Sequence, residues 1–392
     1  MKVFVTGIGV VSAIGLTVEE NFRSLLNKKS GITECKFPDD QKSIYTGRIA
    51  KSNSELKQLL SITDGYYSRT SLLGIIAAEQ AMGNNFHNKK LLTAFISSTS
   101  VGGMDETEKY YRQVLKNLPV DFNLTRTHDS GNTSENIAAY LKFSGYINTL
   151  STACSSAANA IMLAARMIAQ GKMDRVLVGG TDPITDFTIK GFQSLMIYDN
   201  EWCKPFDHNR NGLNLGEGAG FLLLEGDRSI KISGNEPICS LTGWHNAADA
   251  YHQTASSPDG KGATIAMKNA LNKAGLESKE ISYINAHGTG TKNNDLSESI
   301  AIKNVFGNAI PPFSSTKAFT GHTLAAAGAI EAVYSVLAIK NQVHLSGLNY
   351  NDPLEETLMR PVTEPTQAVT KHVMSNSFGF GGNNSSLIFS RI

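Results

Sequence analysis

Cysteine is scarce in this chain of 392 residues, which carries only four, at positions 35, 154, 203 and 239. They lie far apart and form no Cys-x-x-Cys pair, so the spacing excludes the usual zinc-binding patterns and a disulfide framework. Sparse cysteine of this kind is typical of proteins kept in a reducing compartment. We therefore expect a cytoplasmic protein that binds no metal.

The sequence also lacks an excess of one charge and a long apolar run. Its 36 basic and 35 acidic residues leave a formal net charge of +1, which argues against nucleic acid or an anionic membrane as a partner of the whole protein. No stretch approaches the roughly 18 consecutive apolar residues of a membrane span. The N-terminal segment Met1–Gly7 predicts a strand and lacks the cleavage site of a signal peptide.

Apolar strands alternate with amphipathic helices along the chain, and this alternation predicts an α/β fold. A charged, non-periodic stretch at 226–237 predicts the main boundary, which gives an N-terminal half of residues 1–230 and a C-terminal half of residues 231–392. Two segments, starting at Ser151-Thr-Ala-Cys and at Ser315-Thr-Lys, both run from a strand through a Ser-Thr turn into a helix of small residues. We expect each helix to be the buried centre of one of two related halves.

Cys154 follows a β-prone run and begins a helix of small residues that extends to Gln170. A thiol at the first turn of a helix faces unpaired N–H groups and the positive end of the helix dipole, and both favour the thiolate. This placement predicts a nucleophile that is active near neutral pH. The alternative interpretation of the same segment is a small buried apolar residue, as most free cysteines are.

Three further clusters follow predicted strands, where α/β proteins place their ligands. His287 lies in Asn-Ala-His-Gly-Thr-Gly-Thr, and Lys317 precedes His322, which we predict to begin a helix whose dipole keeps its ring neutral. The segment Ser375–Asn383 is rich in glycine, which allows backbone N–H groups to be directed at an oxyanion. Packed histidines and simple glycine turns remain alternative interpretations of these patterns.

A nicotinamide or flavin cofactor is not indicated. Gly7-x-Gly9 follows the first predicted strand, but residue 12 is serine where a dinucleotide-binding fingerprint has its third glycine. The sequence therefore does not indicate a dinucleotide-binding site.

Taken together, these motifs make the chain resemble the β-ketoacyl-acyl-carrier-protein synthases of the Cys-His-His type, from the first strand to the last. The resemblance implies a thiolase-like α/β fold with five layers, α-β-α-β-α, built from two related halves. It implies decarboxylative Claisen condensation of an acyl-enzyme with malonyl-acyl carrier protein, in fatty-acid or polyketide and polyene synthesis. It also implies acyl carrier protein as a partner and a homodimer, with a heterodimer containing a synthase-like subunit as the other arrangement.

The resemblance also implies individual roles. Cys154 would carry the acyl group, His287 and His322 would hold the malonyl thioester oxygen, and the N–H groups of Cys154 and Phe380 would hold the tetrahedral oxyanion. At other positions that match the family, Lys317 and Glu298 would support the histidines, and Thr289 and Thr291 would bind the pantetheine amides. Phe378 and Phe380 would gate the acyl pocket, and Val101 would line it. Lys204 and Arg210 are candidates for a basic patch that binds the acidic carrier protein.

Two other functions share parts of this pattern. A chain-length factor resembles a synthase but lacks the nucleophile, and Cys154 argues against it. A thiolase acting on coenzyme A thioesters uses a second cysteine near the C-terminus, whereas no cysteine follows Cys239 here. The sequence His-Gly-Thr-Gly-Thr-Lys at 287–292 departs from the form common in housekeeping fatty-acid enzymes, so chain length, unsaturation and pathway stay open.

Overall fold

The computed structural model describes residues 1–37, 40–83 and 86–392. The strands are β1 (Val3–Ser12), β2 (Thr33–Phe37), β3 (Asp40–Thr46), β4 (Thr93–Ser98), β5 (Tyr146–Leu150), β6 (Arg175–Asp182), β7 (Gly218–Gly226), β8 (Cys239–Ala248), β9 (Tyr283–Asn285), β10 (Phe313–Ser314), β11 (Val343–His344), β12 (Thr366–Gln367), β13 (His372–Gly379) and β14 (Asn383–Ser390). The helices are α1 (Val18–Leu26), α2 (Asn53–Leu59), α3 (Arg69–Met82), α4 (Met104–Leu115), α5 (Ser130–Tyr140), α6 (Ser156–Ala169), α7 (Asp186–Ser194), α8 (Asp227–Ser233), α9 (Lys261–Ala274), α10 (Lys292–Phe306), α11 (Lys317–Thr320) and α12 (Ala327–Asn341).

Two sets of five strands have the same topology. The first set runs β5-β4-β6-β7-β1 and the second runs β10-β9-β13-β14-β8. If the strands of each set are numbered from one to five along the chain, their spatial order is 3-2-4-5-1 in both sets. The fifth strand, β7 or β14, is antiparallel to both of its neighbours. The two sets join where β1 pairs with β8 at Phe4 and Val5. The prediction of two related halves is therefore confirmed, while their boundary at residue 230 stays a prediction.

Helices α6 and α12 form the middle layer, because each contacts strands of both sets as well as the other helix. Small residues make this possible: a Cβ on Gly328 of α12 would lie only 2.8 Å from the backbone nitrogen of Ala158 in α6. Helix α3 covers the outer face of the first set and α9 covers that of the second. This order gives the expected α-β-α-β-α layers, with most of the main core between the two sheets.

The two glycines of the rejected dinucleotide motif serve this packing. A Cβ on Gly7 would lie 2.0 Å from the carbonyl oxygen of Ala81, and one on Gly9 would lie 1.9 Å from that of Ala77. Strand β1 can therefore lie against α3 only if both positions lack a side chain.

The stretch Leu324–Asn341 is long and apolar enough for a membrane span by composition, yet 89% of it is buried inside the fold. Its apolar character is explained by its place between two sheets, since a helix buried on all sides is apolar all round.

Candidate active site

The predicted nucleophile and both predicted histidines open into one cavity of about 250 Å³. Cys154, His287 and His322 line it together, although the outer two are 168 positions apart in the chain (322 − 154). The cavity lies where the halves meet, beyond the ends of β5, β9 and β13. The remaining predicted site residues on its wall are Thr289, Thr291, Phe378 and Phe380.

Cys154 lies in the tight turn between β5 and α6, which begins two residues later than predicted, at Ser156. Ala153 adopts a left-handed φ of 55°, and this strained turn presents the next side chain to the cavity. The N–H groups of Phe380 and of Cys154 itself face the sulfur. Gly379 approaches closely, since a Cβ there would lie 3.2 Å from the backbone nitrogens of Cys154 and Ser155.

The expected lowering of the thiol pKa is wrong for the free protein. Burial raises the pKa of Cys154 to about 11, while the charge of Lys317 and the two N–H groups act in the opposite direction without overcoming it. The sequence motif shows the helix N-terminus but not the depth of the sulfur, and desolvation of a thiolate is the larger effect here.

This pKa predicts how Cys154 reacts with a small alkylating agent. Because the thiolate fraction grows tenfold per unit below the pKa, the alkylation rate should rise about tenfold per pH unit between pH 7 and 9. The measurement is the rate of iodoacetamide addition to the Cys154 peptide, followed by mass spectrometry. A rate that levels off by pH 8 would contradict the raised pKa.

His287 is held by Lys317 from one side. The Lys317 ammonium group lies 3.2 Å from Nδ1 of His287, and it also donates to the His287 carbonyl oxygen and to the carboxylate of Glu331. Since an ammonium group can only donate, Nδ1 accepts and the proton of the neutral ring is on Nε2. Burial, Lys317 and His322 together hold the His287 pKa well below its usual value, so the ring is uncharged.

His322 has the same tautomer for a different reason. The backbone N–H of Leu324 donates to its Nδ1 at 3.2 Å, which leaves the proton on Nε2. Burial, followed by the charge of Lys317, lowers the pKa well below the usual value. The predicted helix start at His322 is wrong: a 3₁₀ turn (Leu324–Ala326) intervenes and α12 begins at Ala327. The ring stays neutral through burial and Lys317.

The two imidazole rings stand edge to face, with centroids 5.4 Å apart and planes at 86°. Both rings are almost fully buried. In each ring Nδ1 accepts a hydrogen bond from the protein, so Nε2–H remains as the donor for a ligand in the cavity. A pair of neutral N–H donors in a desolvated cavity stabilises negative charge that develops on a single oxygen atom.

Two acidic residues of α10 fix the loop that carries His287. Glu298 accepts from the N–H groups of His287 at 2.9 Å and of Gly288 at 2.8 Å. Asp295 accepts from the N–H of Thr289 at 2.9 Å, and the hydroxyls of Thr289 and Thr291 lie 2.9 Å apart. Burial raises the pKa of Glu298 to about 7. Glu298 and Asp295 position the loop and are not among the residues that line the cavity.

Two buried carboxylates of the site were missed by the sequence analysis. Glu331 forms a buried ion pair with Lys317, and it is the only charged residue between His322 and Lys340. An isolated acid in an apolar helix was the signal. Asp182 accepts from the N–H of Ala325 at 2.8 Å, next to the His322 turn, and its position at the end of a strand gave no comparable signal.

Three predicted residues, Arg210, Lys204 and Val101, lie outside the cavity lining. Arg210 is buried, and its guanidinium group donates to the backbone oxygens of Thr291 and Lys292, so its place in an exposed basic patch is wrong. Lys204 is about one-quarter exposed at 27% and pairs with Glu201 at 3.1 Å. Val101 lies in the turn after β4 and is not among the described residues that line the cavity; its role stays a prediction.

Comparison with known proteins identifies the family. The model of the β-ketoacyl synthase N-terminal domain matches residues 1–229, and that of the C-terminal domain matches residues 238–351. The chain is 33% identical to 3-oxoacyl-[acyl-carrier-protein] synthase 2 of Staphylococcus aureus, over 100% of this chain and 98% of the relative.

Solved structures agree over the full length. A structure described as the ishigamide ketosynthase/chain length factor superposes with a TM-score of 0.91 at 27% identity, covering 100% of this chain and 99% of that one. The ketosynthase ApeO of Xenorhabdus doucetiae, in complex with its chain length factor ApeC, gives 0.87 at 32% identity, covering 100% and 98%. With both domain models matched and relatives aligned from end to end, the chain belongs to the β-ketoacyl synthase family.

Proposed function

We propose that the protein catalyses decarboxylative Claisen condensation of an acyl group, held on Cys154, with malonyl-acyl carrier protein. The products are β-ketoacyl carrier protein and CO₂. The observation that carries this proposal is the single cavity into which one cysteine and two neutral Nε2–H histidines open. Such a site needs neither metal nor organic cofactor, because the substrate's own carboxylate leaves as CO₂ and supplies the electron pair.

The first step is thioester exchange. The Cys154 sulfur bonds to the acyl carbon, the bond from that carbon to the pantetheine sulfur breaks, and the thiol proton goes to the departing pantetheine thiolate. The hydroxyls of Thr289 and Thr291 face the cavity and are suited to hold the pantetheine amides. The thiol of the free enzyme is protonated, so substrate binding must precede its activation.

Decarboxylation follows when malonyl carrier protein binds. The Nε2–H groups of His287 and His322 donate to the malonyl thioester oxygen, the bond to the carboxylate breaks, and CO₂ leaves an enolate behind. Each such donor in a desolvated site typically contributes about 10²–10³ in rate. Lys317 and Glu298 keep the His287 ring in place, and Asp182 holds the turn after His322.

Condensation then joins the two groups. The enolate carbon attacks the acyl carbonyl on Cys154, and the resulting oxyanion accepts hydrogen bonds from the N–H groups of Cys154 and Phe380, which already face the sulfur. Collapse of this intermediate re-forms the carbonyl group, breaks the bond to the sulfur and releases the β-ketoacyl product, and the Cys154 thiolate that leaves takes a proton from solvent to restore the thiol. Phe378 and Phe380 border the cavity and are placed to control entry to it.

The two alternative functions have less support. A chain-length factor needs no nucleophile, whereas Cys154 here is seated among N–H donors in a built cavity. A thiolase needs a second cysteine at the site, and Cys154 is the only one of the four cysteines, all within the described part of the chain, that lines the cavity.

We propose further that the protein works as a cytoplasmic dimer whose partner is either a second copy or a synthase-like subunit. Strand β5 lies at the edge of the sheet, and the large side chain of Tyr146 at its start is 42% exposed. An open edge strand with an exposed large side chain is a common place for a second subunit. The native mass in solution with and without a co-expressed synthase-like subunit distinguishes the two arrangements.

The function is tested by trapping its first product. The purified protein is incubated with a panel of acyl carrier proteins of differing chain length and unsaturation, and Cys154 is examined by peptide mass spectrometry. We expect an acyl group on Cys154 and, when malonyl carrier protein is then added, release of CO₂ and of a product two carbons longer. An unmodified Cys154 with every acyl carrier would contradict the proposal.

A further inference from the structure

The C-terminal end of helix α7 and the residues that follow it border the cavity. Phe192 near its end and Met196 just beyond it both line the cavity. The Phe192 ring stacks on Phe380, with centroids 5.6 Å apart and planes at 21°. Because the Phe380 N–H faces the Cys154 sulfur, the position of α7 is connected through one ring contact to the oxyanion donors.

The rest of α7 is weakly anchored. Of its nine residues, Thr188 and Ile189 are the buried ones. Beyond its C-terminal end, Met196 is 89% exposed. A helix with so few buried contacts depends on its ends for its position.

The N-terminal end is held from outside by α4. The Glu108 carboxylate accepts from the backbone N–H of Asp186 at 3.1 Å and from that of Phe187 at 2.7 Å. Arg112, one turn further along α4, forms an ion pair with the side chain of Asp186. A negative group bonded to the first N–H groups of a helix both caps it and complements its dipole.

We propose that Glu108 is a positioning residue for acyl transfer, which holds α7 so that Phe192 supports Phe380 beside Cys154. The inference rests on the proposed function and adds one point to it: acylation of Cys154 depends on helix α4, whereas malonyl decarboxylation does not. Acylation of Cys154 needs the Phe380 N–H, whereas decarboxylation needs the two histidines, which are held by Lys317 and the Leu324 N–H on other elements.

The test compares Glu108→Ala, Glu108→Gln and the control Glu135→Ala, an exposed glutamate on α5. Single-turnover acylation of Cys154 is followed by mass spectrometry, and malonyl decarboxylation is measured with each change placed in a Cys154→Ala background. Thr185 keeps its own N-cap hydrogen bond with Thr188 in these variants. Loss of a hydrogen bond to a charged group typically corresponds to about a tenfold change in an equilibrium constant, here that for holding α7 in place. We expect Glu108→Ala to slow acylation about tenfold and leave decarboxylation unchanged, Glu108→Gln to recover part of the rate, and Glu135→Ala to change neither.

A second comparison separates positioning from general loss of structure. If Glu108 acts through Phe192, then Glu108→Ala should cost little once Phe192→Leu has removed the stacked ring, so that the two effects on acylation are not additive. Fully additive effects, or equal losses in acylation and decarboxylation, would overturn the inference. If the unchanged protein neither acylates Cys154 nor decarboxylates malonyl carrier protein, it is the proposed function that fails.

Discussion

Replacement of Cys154 by alanine is expected to abolish condensation, with a rate loss of at least about 10⁴, while malonyl decarboxylation persists. Without the sulfur no acyl thioester forms on the enzyme, so the enolate has no carbonyl carbon to attack. The histidines should keep their geometry, because the contacts that orient them come from Lys317 and the Leu324 N–H and not from Cys154. The change also removes little volume from the cavity wall.

The measurement follows elongated product and released CO₂ in the same reaction. Cys35→Ala is the matched control, since Cys35 is half-buried, its sulfur contacts Thr46 in the β2–β3 hairpin, and its side chain is not among those that line the cavity. We expect the control to retain both activities. A Cys154→Ala protein that condenses at the normal rate would mean that another group carries the acyl chain.

The sequence was sufficient to predict which side chains meet in the cavity, because these groups lie in short motifs at strand ends, whereas their chemistry followed from the family resemblance. A cysteine before a small-residue helix and two histidines after strands have their positions set largely by the local chain, and the α/β topology brings these strand ends together. The repeated Ser-Thr turn and small-residue helix likewise predicted α6 and α12, which pack between the sheets as expected.

What the sequence did not predict depends on burial and on distant contacts. The Cys154 pKa is set by desolvation, and a local motif does not report how deep a sulfur lies. Arginine is usually found at the protein surface, yet Arg210 is buried, because the backbone oxygens of Thr291 and Lys292 at the start of α10 accept hydrogen bonds from its guanidinium group. Strand β8 was also missed: it runs from Cys239 to Ala248 and pairs with β14 and β1. Its alternation of apolar and polar residues covers only Cys239–Thr242 and is broken by Gly243, which leaves too short a signal for a strand of ten residues.

Replacement of His322 by alanine is expected to slow malonyl decarboxylation by about 10²–10³, the usual cost of losing one donor to a developing oxyanion. The enolate oxygen would then be held by His287 alone, in a cavity too desolvated for water to replace the missing N–H without cost.

Measured in the Cys154→Ala background, CO₂ release reports this step without interference from condensation. His208→Ala is the control, because His208 is exposed, its Nδ1 lies 3.9 Å from the Glu355 carboxylate, and it is not among the residues that line the cavity. Acylation of Cys154, measured in the single variant His322→Ala, should fall much less, since its oxyanion donors are backbone N–H groups of Cys154 and Phe380. Undiminished CO₂ release from the His322 variant would show that the two rings do not act as a pair. It would contradict the assignment of decarboxylation to the histidine N–H groups and of acyl transfer to the backbone N–H groups.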